Sequence, residues 1–331
     1  MRFNVCGIRL IASFFFLCGL CVLYAVMPMM GLRPMILKVE KGHHAKHIVS
    51  SLVEQGHLKG HIALYAFFRL SGVSQQFQAG EYAIDAQTTP LSLLLDLKSG
   101  RVIHYKLTLV EGWTFQQLQA YLDQLSQLEH SVPSISKNAL LKKLKVNWPF
   151  IEGVFYPTTY LYHAGTSDLE CYRRASDKMS QLLNREWGAR AQHLPYHNQH
   201  EALIAASLIQ RETHYEDEYA TIASVIVNRL NRGMRLQIDA CVRYGLGRFS
   251  GYLSKKDLSQ KTPYNTYLNK GLPPTPIALV SPAALHAALH PDTTRFLFYV
   301  LSSEGRHIFS EHFKAHRKAA QAYRTYRDQG R

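Results

Sequence analysis

Apolar residues recur at helical spacing in some stretches of the chain and alternate in others, and the two periods together predict a mixed α+β protein. In "MILKVEKGHHAKHIVSSLVEQGHL" a strand ends near Val39, a turn falls at Gly42, and Ile48, Val49 and Leu52 line the inner face of a helix. The same plan returns in "YKLTLVEGWTFQQLQAYLDQL", with a turn at Val110-Glu111-Gly112 and Leu118 and Leu122 inward, a weak internal repeat. Between the copies lie a helix over residues 61–71, the strand "AGEYAI", and a helix carrying Leu91, Leu94, Leu95 and Leu97 before Ser99-Gly100. Residues 124–150 are looser and lead into the aromatic stretch "WPFIEGVFYPTTYLY". Helical spacing resumes from Ser167 to Trp187, again in a helix ending near Glu212, and in one that opens on Glu216, Asp217 and Glu218 and stops at Gly233. The strands "RFLFYVLS" and "HIFS" and a helix from His312 to about Tyr326 complete the pattern.

One segment departs from both periods. From Leu10 to Met30 no charged residue interrupts an apolar run, which as a helix would match the roughly 30 Å core of a bilayer. The run is longer than the apolar part of a secretory signal and no small-x-small cleavage site follows it. A single transmembrane helix over 8–30 is therefore expected, with a short cytoplasmic tail at 1–7, on the side of Arg2, and the bulk of the chain periplasmic at the inner membrane. Beyond that span only Cys171 and Cys241 remain, and both are expected as free thiols.

The helix before Glu212 raises a chemical question. Ile204, Ala205, Leu208 and Ile209 gather on one face with Glu212 inside their arc. A helix-end carboxylate reaching solvent or pairing with Arg211 is one reading; a catalytic acid in an apolar site is the other. The formal net charge of +14 over 331 residues points to an anionic partner surface. Lys and Arg are dispersed, with no basic run interleaved with aromatics, which argues against nucleic acid. His43 and His47 stand four apart without a third ligand, so no metal site is expected, and no phosphate or dinucleotide loop implies a cofactor. The chemistry falls to carboxylates and polar residues.

The blocks "IEGVFYPTTYLY", "LIQRET", "VIVNRLNRGMRLQIDACVRYGLG", "TPYNTYLNKGLPPTPIALVSPAALHAALHP" and "FYVLSSEGRHIFSEHFKAH" resemble, in order and spacing, the YceG-like family of endolytic murein transglycosylases. The resemblance implies a LysM-like module over 31–105 and a catalytic domain over 106–331, with the catalytic Glu212 at a helix end. It implies peptidoglycan glycan strands as substrate, peptidoglycan synthases (penicillin-binding proteins) and the inner membrane as partners, and no cofactor. Two places differ from the family pattern: Pro157-Thr158-Thr159 stands for P-D-T, and Asp239-Ala240-Cys241 for D-P-T.

On this reading Glu212 protonates the leaving oxygen of the MurNAc–GlcNAc bond and then, ionised, takes the C6 hydroxyl proton as a 1,6-anhydro ring closes, so that one carboxylate serves twice. Gln237, Asp239, Tyr264 and Asn265 are candidate hydrogen-bonding residues for the substrate, and Glu152 a candidate wall residue. The alternatives are a muramidase in which Asp239 is the second carboxylate, and a non-catalytic wall-binding scaffold.

Overall fold

The computed structural model describes residues 5–40, 42–56, 58–72, 77–132, 135–248 and 250–329, with side chains from residue 12 onward. It divides into two compact units. The first runs up to Lys106 and takes in Gln127–Glu129 and Leu161–Thr166; the second comprises Leu107–Ser126, His130–Tyr160 and Ser167 onward.

In the first unit α1 (Val5–Val26) is followed by β1 (Met35–Val39), α2 (Ala45–Glu54), α3 (His61–Leu70), β2 (Gly80–Ile84) and α4 (Pro90–Ser99). The strands pair antiparallel, Met35 opposite Ile84 and Val39 opposite Gly80. Leu37 and Val39, alternate residues of β1, share one core with Ile48 and Leu52 of α2, Phe68 of α3 and Leu97 of α4. The start of α4 is set locally: the Thr89 hydroxyl accepts from the Ser92 amide at 3.0 Å, and Pro90 occupies its first turn.

The N-terminal segment corrects the sequence reading. Among the described residues no helix is long and apolar enough to cross a membrane, so the transmembrane span expected over 8–30 is not supported. The apolar run is not one continuous helix. α1 ends at Val26, and the chain turns so that Met29 and Leu32 enter the core of the first unit. The Met29 amide donates to the Thr88 carbonyl at 3.0 Å and the Arg33 amide to the Gly56 carbonyl at 3.0 Å. Of the residues assigned to lipid, Ala25 and Met29 are buried in protein, while Phe14, Phe15, Phe16 and Leu17 of α1 stay exposed. Residues 1–4 of the expected tail lie outside the described residues.

The chain continues through β3 (Tyr105–Thr108), α5 (Phe115–Leu122), β4 (Leu128–Glu129), α6 (Lys137–Leu144), β5 (Thr159–Tyr162), β6 (Thr166–Ser167) and α7 (Asp168–Gly188). β3 pairs with β5 and β4 with β6. α6 falls in the stretch read as loose. Its eight residues offer only Leu140, Leu141 and Leu144 for burial, too short a run for a period to declare itself, yet Ser136 caps it by accepting from the Ala139 amide at 3.2 Å.

The second unit is built around α8 (Gln199–Glu212). Every residue from Ala202 to Ile209 is buried, because α7, α9 (Tyr219–Asn231), α10 (Asp239–Gly245) and α12 (Pro282–Leu289) pack around it. A helix apolar on all sides is a core helix, and one apolar face was less than the whole of its burial. Its polar residues tie down the loop before α12: the Ser207 hydroxyl accepts from the Ile277 amide at 3.1 Å, and Gln210 Oε1 accepts from the Ser281 amide at 3.0 Å. A short α11 (Lys255–Leu258) precedes that loop. The antiparallel hairpin of β7 (Phe298–Leu301) and β8 (His307–Ser310) and the final helix α13 (Phe313–Gln329) close the unit. Cys171 and Cys241 are both buried free thiols.

Candidate active site

α8 ends on Glu212, and Thr213 leaves the helix with extended backbone. The carboxyl therefore projects from the mouth of a buried helix. Loss of hydration raises its pKa above the ordinary carboxylate value, against the opposing pull of His307, a hydrogen bond from the Tyr299 hydroxyl and the charge of Arg243; Asp239 reinforces the rise. Tyr299 is held high in turn, by burial first and by Glu212 beside it. It stays a neutral donor to Glu212 across the physiological range.

His307 is fixed from behind. Its Nδ1 lies 2.7 Å from Glu218 Oε2 and its amide donates to Glu218 Oε1 at 2.9 Å, while the Thr213 hydroxyl donates to the same carboxylate at 3.0 Å. Its ring stands edge-on to Tyr299, centroids 5.3 Å apart. Although buried, Glu218 keeps a lowered pKa, since these hydrogen bonds outweigh desolvation. Glu216, Asp217 and Glu218 do form the single 3-10 turn that opens α9, but only Glu218 faces inward. Asp217 pairs with Arg306 on the surface.

The other candidates fall into two groups. Asp239 begins α10, and its Oδ1 accepts from the Tyr267 hydroxyl at 2.7 Å. Gln237, two residues earlier, has φ +54, a strained left-handed backbone for a residue with a side chain. Its amide donates to the Thr266 carbonyl at 3.1 Å and its Oε1 accepts from Arg229 at 3.4 Å. Asn265 is fully buried and its amide is spent on its own loop, donating to the carbonyls of Leu258 at 3.0 Å and Gln260 at 2.7 Å. Asp239 and Gln237 thus keep a share of exposed surface, and Asn265 shapes the loop behind them.

Glu152 and Tyr264 form the second group. The Glu152 carboxyl accepts from the Phe115 amide at 2.7 Å and from the Tyr244 hydroxyl at 2.8 Å. Tyr244 meets Tyr264 edge-on at 4.9 Å, and the Tyr264 hydroxyl lies 2.9 Å from Thr275 Oγ1. Burial pushes Glu152 up to about 7 despite both hydrogen bonds. The turn after it needs a glycine: Gly153 has φ +77, and a Cβ there would stand 2.9 Å from the Pro276 ring.

Several participants escaped the sequence reading. Tyr299 sits in an apolar strand, where a tyrosine reads as core; its hydroxyl's partner is set only by tertiary structure. His307 opens the short strand "HIFS", and Arg243 and Tyr267 lie within quoted motif blocks without a pattern to single them out. Two quoted blocks do acquire a physical meaning. In "NRL", Asn228 donates to the carbonyls of Thr294 and Phe296, both at 3.0 Å, and buried Arg229 to those of Leu297 and Leu236, both at 2.6 Å. Together they join the approach to Tyr299 with the approach to Gln237. In "YNTY", Thr266 Oγ1 accepts from the Ile238 amide at 2.9 Å and Tyr267 reaches Asp239. Where the family has D-P-T, the thiol of Cys241 is buried and hydrogen-bonded to Thr266.

Taken together, the second unit is an α+β domain organised about a partly buried glutamate at the end of its central helix. The chain belongs to the YceG-like family, which it matches over residues 37–322. It is 29% identical over 306 residues to the endolytic murein transglycosylase of Bacillus subtilis (strain 168), covering 87% of this chain and 84% of that protein. To the endolytic murein transglycosylase of Streptococcus pneumoniae serotype 2 (strain D39) it is 22% identical over 320 residues, covering 84% of this chain and 56% of the longer relative. The crystal structure of a putative YceG-like protein from Listeria monocytogenes has the same fold, with a TM-score of 0.55 at 23% identity, over 86% of this chain and 98% of that one.

Proposed function

We propose that this chain is a peptidoglycan lytic transglycosylase that cuts within glycan strands at the MurNAc–GlcNAc bond, with Glu212 as acid and then base. Membership of the YceG-like family and the names of the relatives support the general activity. The observation that carries the assignment of Glu212 is its position at the end of the buried helix α8 with a raised pKa and the Tyr299 hydroxyl as donor. Burial favours the protonated form of such a carboxyl, which can give its proton to a glycosidic oxygen.

In the proposed reaction Glu212 protonates the bridging oxygen as the bond from C1 of MurNAc breaks. The GlcNAc side leaves as an alcohol, and positive charge develops at C1. The C6 hydroxyl of the same MurNAc then bonds to C1, and its proton returns to Glu212, which restores the enzyme and leaves a 1,6-anhydroMurNAc end. Tyr299 steadies the carboxylate in the ionised interval by its hydrogen bond, and Glu218 fixes the His307 ring beside it. Asp239, Gln237 and Tyr264 are proposed to meet the sugar's polar groups, Glu152 to form part of the wall, and Asn265 to act through the loop it braces. The first unit, whose β1-α2-α3-β2 order encloses two helices between antiparallel strands, is proposed as a LysM-like glycan-binding module. On this reading the work is proposed to lie on the wall side of the envelope, beside the synthases that extrude the strands.

One observation favours a second reading. Asp239 lies near enough to raise the pKa of Glu212, as a water-activating carboxylate of a muramidase would. Mass spectrometry of the products from purified glycan strands separates the two. Transglycosylation gives ends one water lighter than hydrolysis does; reducing MurNAc ends alone would refute the proposed reaction, and no cleavage at all would favour a scaffold.

A further inference from the structure

The last turn of α7 and the end of α12 meet, the Ala191 amide donating to the Leu289 carbonyl at 2.9 Å. Three side chains converge there. Glu186 from α7, His286 from α12 and His290 just beyond it each bring a ligand atom within 4.8 Å of the other two. His286 Nδ1 lies 3.0 Å from Glu186 Oε2, and the two imidazoles stack with centroids 4.2 Å apart. The i, i+4 spacing of the histidines lets one helix offer two ligands on one face while the carboxylate comes from another.

Two independent features mark the place as one for a cation. It lies at the C-terminal ends of two helices, where the helix dipoles favour positive charge. In addition, both nitrogens of His290 face carbonyl oxygens: Nε2 is 2.8 Å from Ala189 O and Nδ1 is 3.2 Å from His286 O. A neutral imidazole donates from only one nitrogen and an imidazolium from both, so in the neutral ring the longer Nδ1 contact is not a hydrogen bond. The Ala189 carbonyl is a suitable partner for Nε2–H, a contact that leaves Nδ1 as the ligand and orients the ring. Arg185 holds Glu186 Oε1, with Nη2 at 2.9 Å, and leaves Oε2 to face His286.

We propose that Glu186, His286 and His290 bind a divalent transition-metal ion, zinc foremost, that clamps α7 to α12. Two imidazoles and one carboxylate are a borderline donor set suited to zinc, and the exposed edge of His286 leaves room for water to complete the shell. Because α12 packs directly on α8, the clamp braces the helix that carries Glu212 without touching the substrate site.

The test uses the full chain, freed of metal with a chelator and titrated with zinc chloride by calorimetry at neutral pH, with thermal unfolding followed in parallel. The expected result is a one-to-one site whose affinity falls roughly tenfold or more in both His290→Ala and Glu186→Gln, as loss of a ligand demands. Zinc should raise the unfolding temperature of the parent and of a His43→Ala/His47→Ala control, but not of those two variants. Cobalt substitution should give the visible absorption of a low-symmetry site in the parent and the control but not in the two variants. Glu186→Gln keeps the shape of the side chain and serves should His290→Ala fail to fold. Equal zinc affinity in the parent and Glu186→Gln, or no saturable binding in the parent, would overturn the proposal.

Discussion

Replacing Glu152 by Gln should make the protein more stable at alkaline pH and change the way stability depends on pH. Glu152 is 5% exposed and burial lifts its carboxyl from 4.5 to about 7. The folded state therefore keeps a proton that the unfolded chain releases above pH 4.5. Stability from this group is fully present below that value, declines as pH rises, and is lost once pH passes about 7. At about 1.4 kcal/mol per pH unit the whole gap is worth about 3 kcal/mol, of which about 2.5 kcal/mol falls between pH 5 and pH 8.

Gln keeps the useful contacts. Its carbonyl still accepts from the Phe115 amide, and Tyr244 can turn its hydroxyl to accept from the new amide group. Urea unfolding of both proteins at pH 5 and pH 8 isolates the effect, because Glu212 and every other titrating group contribute to both. The stability of Glu152→Gln relative to the parent should rise by about 2.5 kcal/mol between the two pH values. Parallel pH profiles, agreeing within about 0.5 kcal/mol, would mean that Glu152 is not held protonated by burial and would refute the reasoning.

Tyr299→Phe removes the donor that opposes desolvation of Glu212, so the alkaline limb of kcat/KM, where the proposed acid loses its proton, should move to higher pH; an unchanged limb would show that the hydrogen bond does not reach the group that titrates there. Arg229→Met should cost about 3 kcal/mol in urea unfolding, since it strands the Leu236 and Leu297 carbonyls that the guanidinium binds. Gly153→Ala should cost more than the roughly 1 kcal/mol of a left-handed alanine, because its Cβ would meet the rigid Pro276 ring as well; a cost near 1 kcal/mol would show that the ring yields.

Periodicity carried most of the secondary structure, because elements such as α2, α5 and α8 bury enough apolar residues to reveal their spacing. It failed where composition and burial part company. The run from Leu10 to Met30 has a membrane's hydropathy, yet its helix ends at Val26 and Met29 belongs to the core of the first unit; an apolar residue does not declare what will cover it. Of the candidate site, the placement of Glu212 at the end of an apolar helix was legible, because that is a local property. Tyr299, His307 and Glu218 were not, since Glu218 reads as helix-start charge until it is seen to hold His307, 89 positions away. Asn265 shows the converse: an exposed-looking amide in a polar loop is fully buried and saturated by its own backbone.

The most direct test of the central claim compares glycan cleavage by the parent with that by Glu212→Gln and Asp239→Asn. Gln keeps the shape of Glu212 but can neither give a proton to the leaving oxygen nor recover one from the C6 hydroxyl, so cleavage should fall by roughly 10² to 10⁴-fold with folding intact. Asp239→Asn, which still accepts from Tyr267, should retain reduced activity and produce the same anhydro ends. Near-parental cleavage by Glu212→Gln, with Asp239→Asn inactive, would contradict the account.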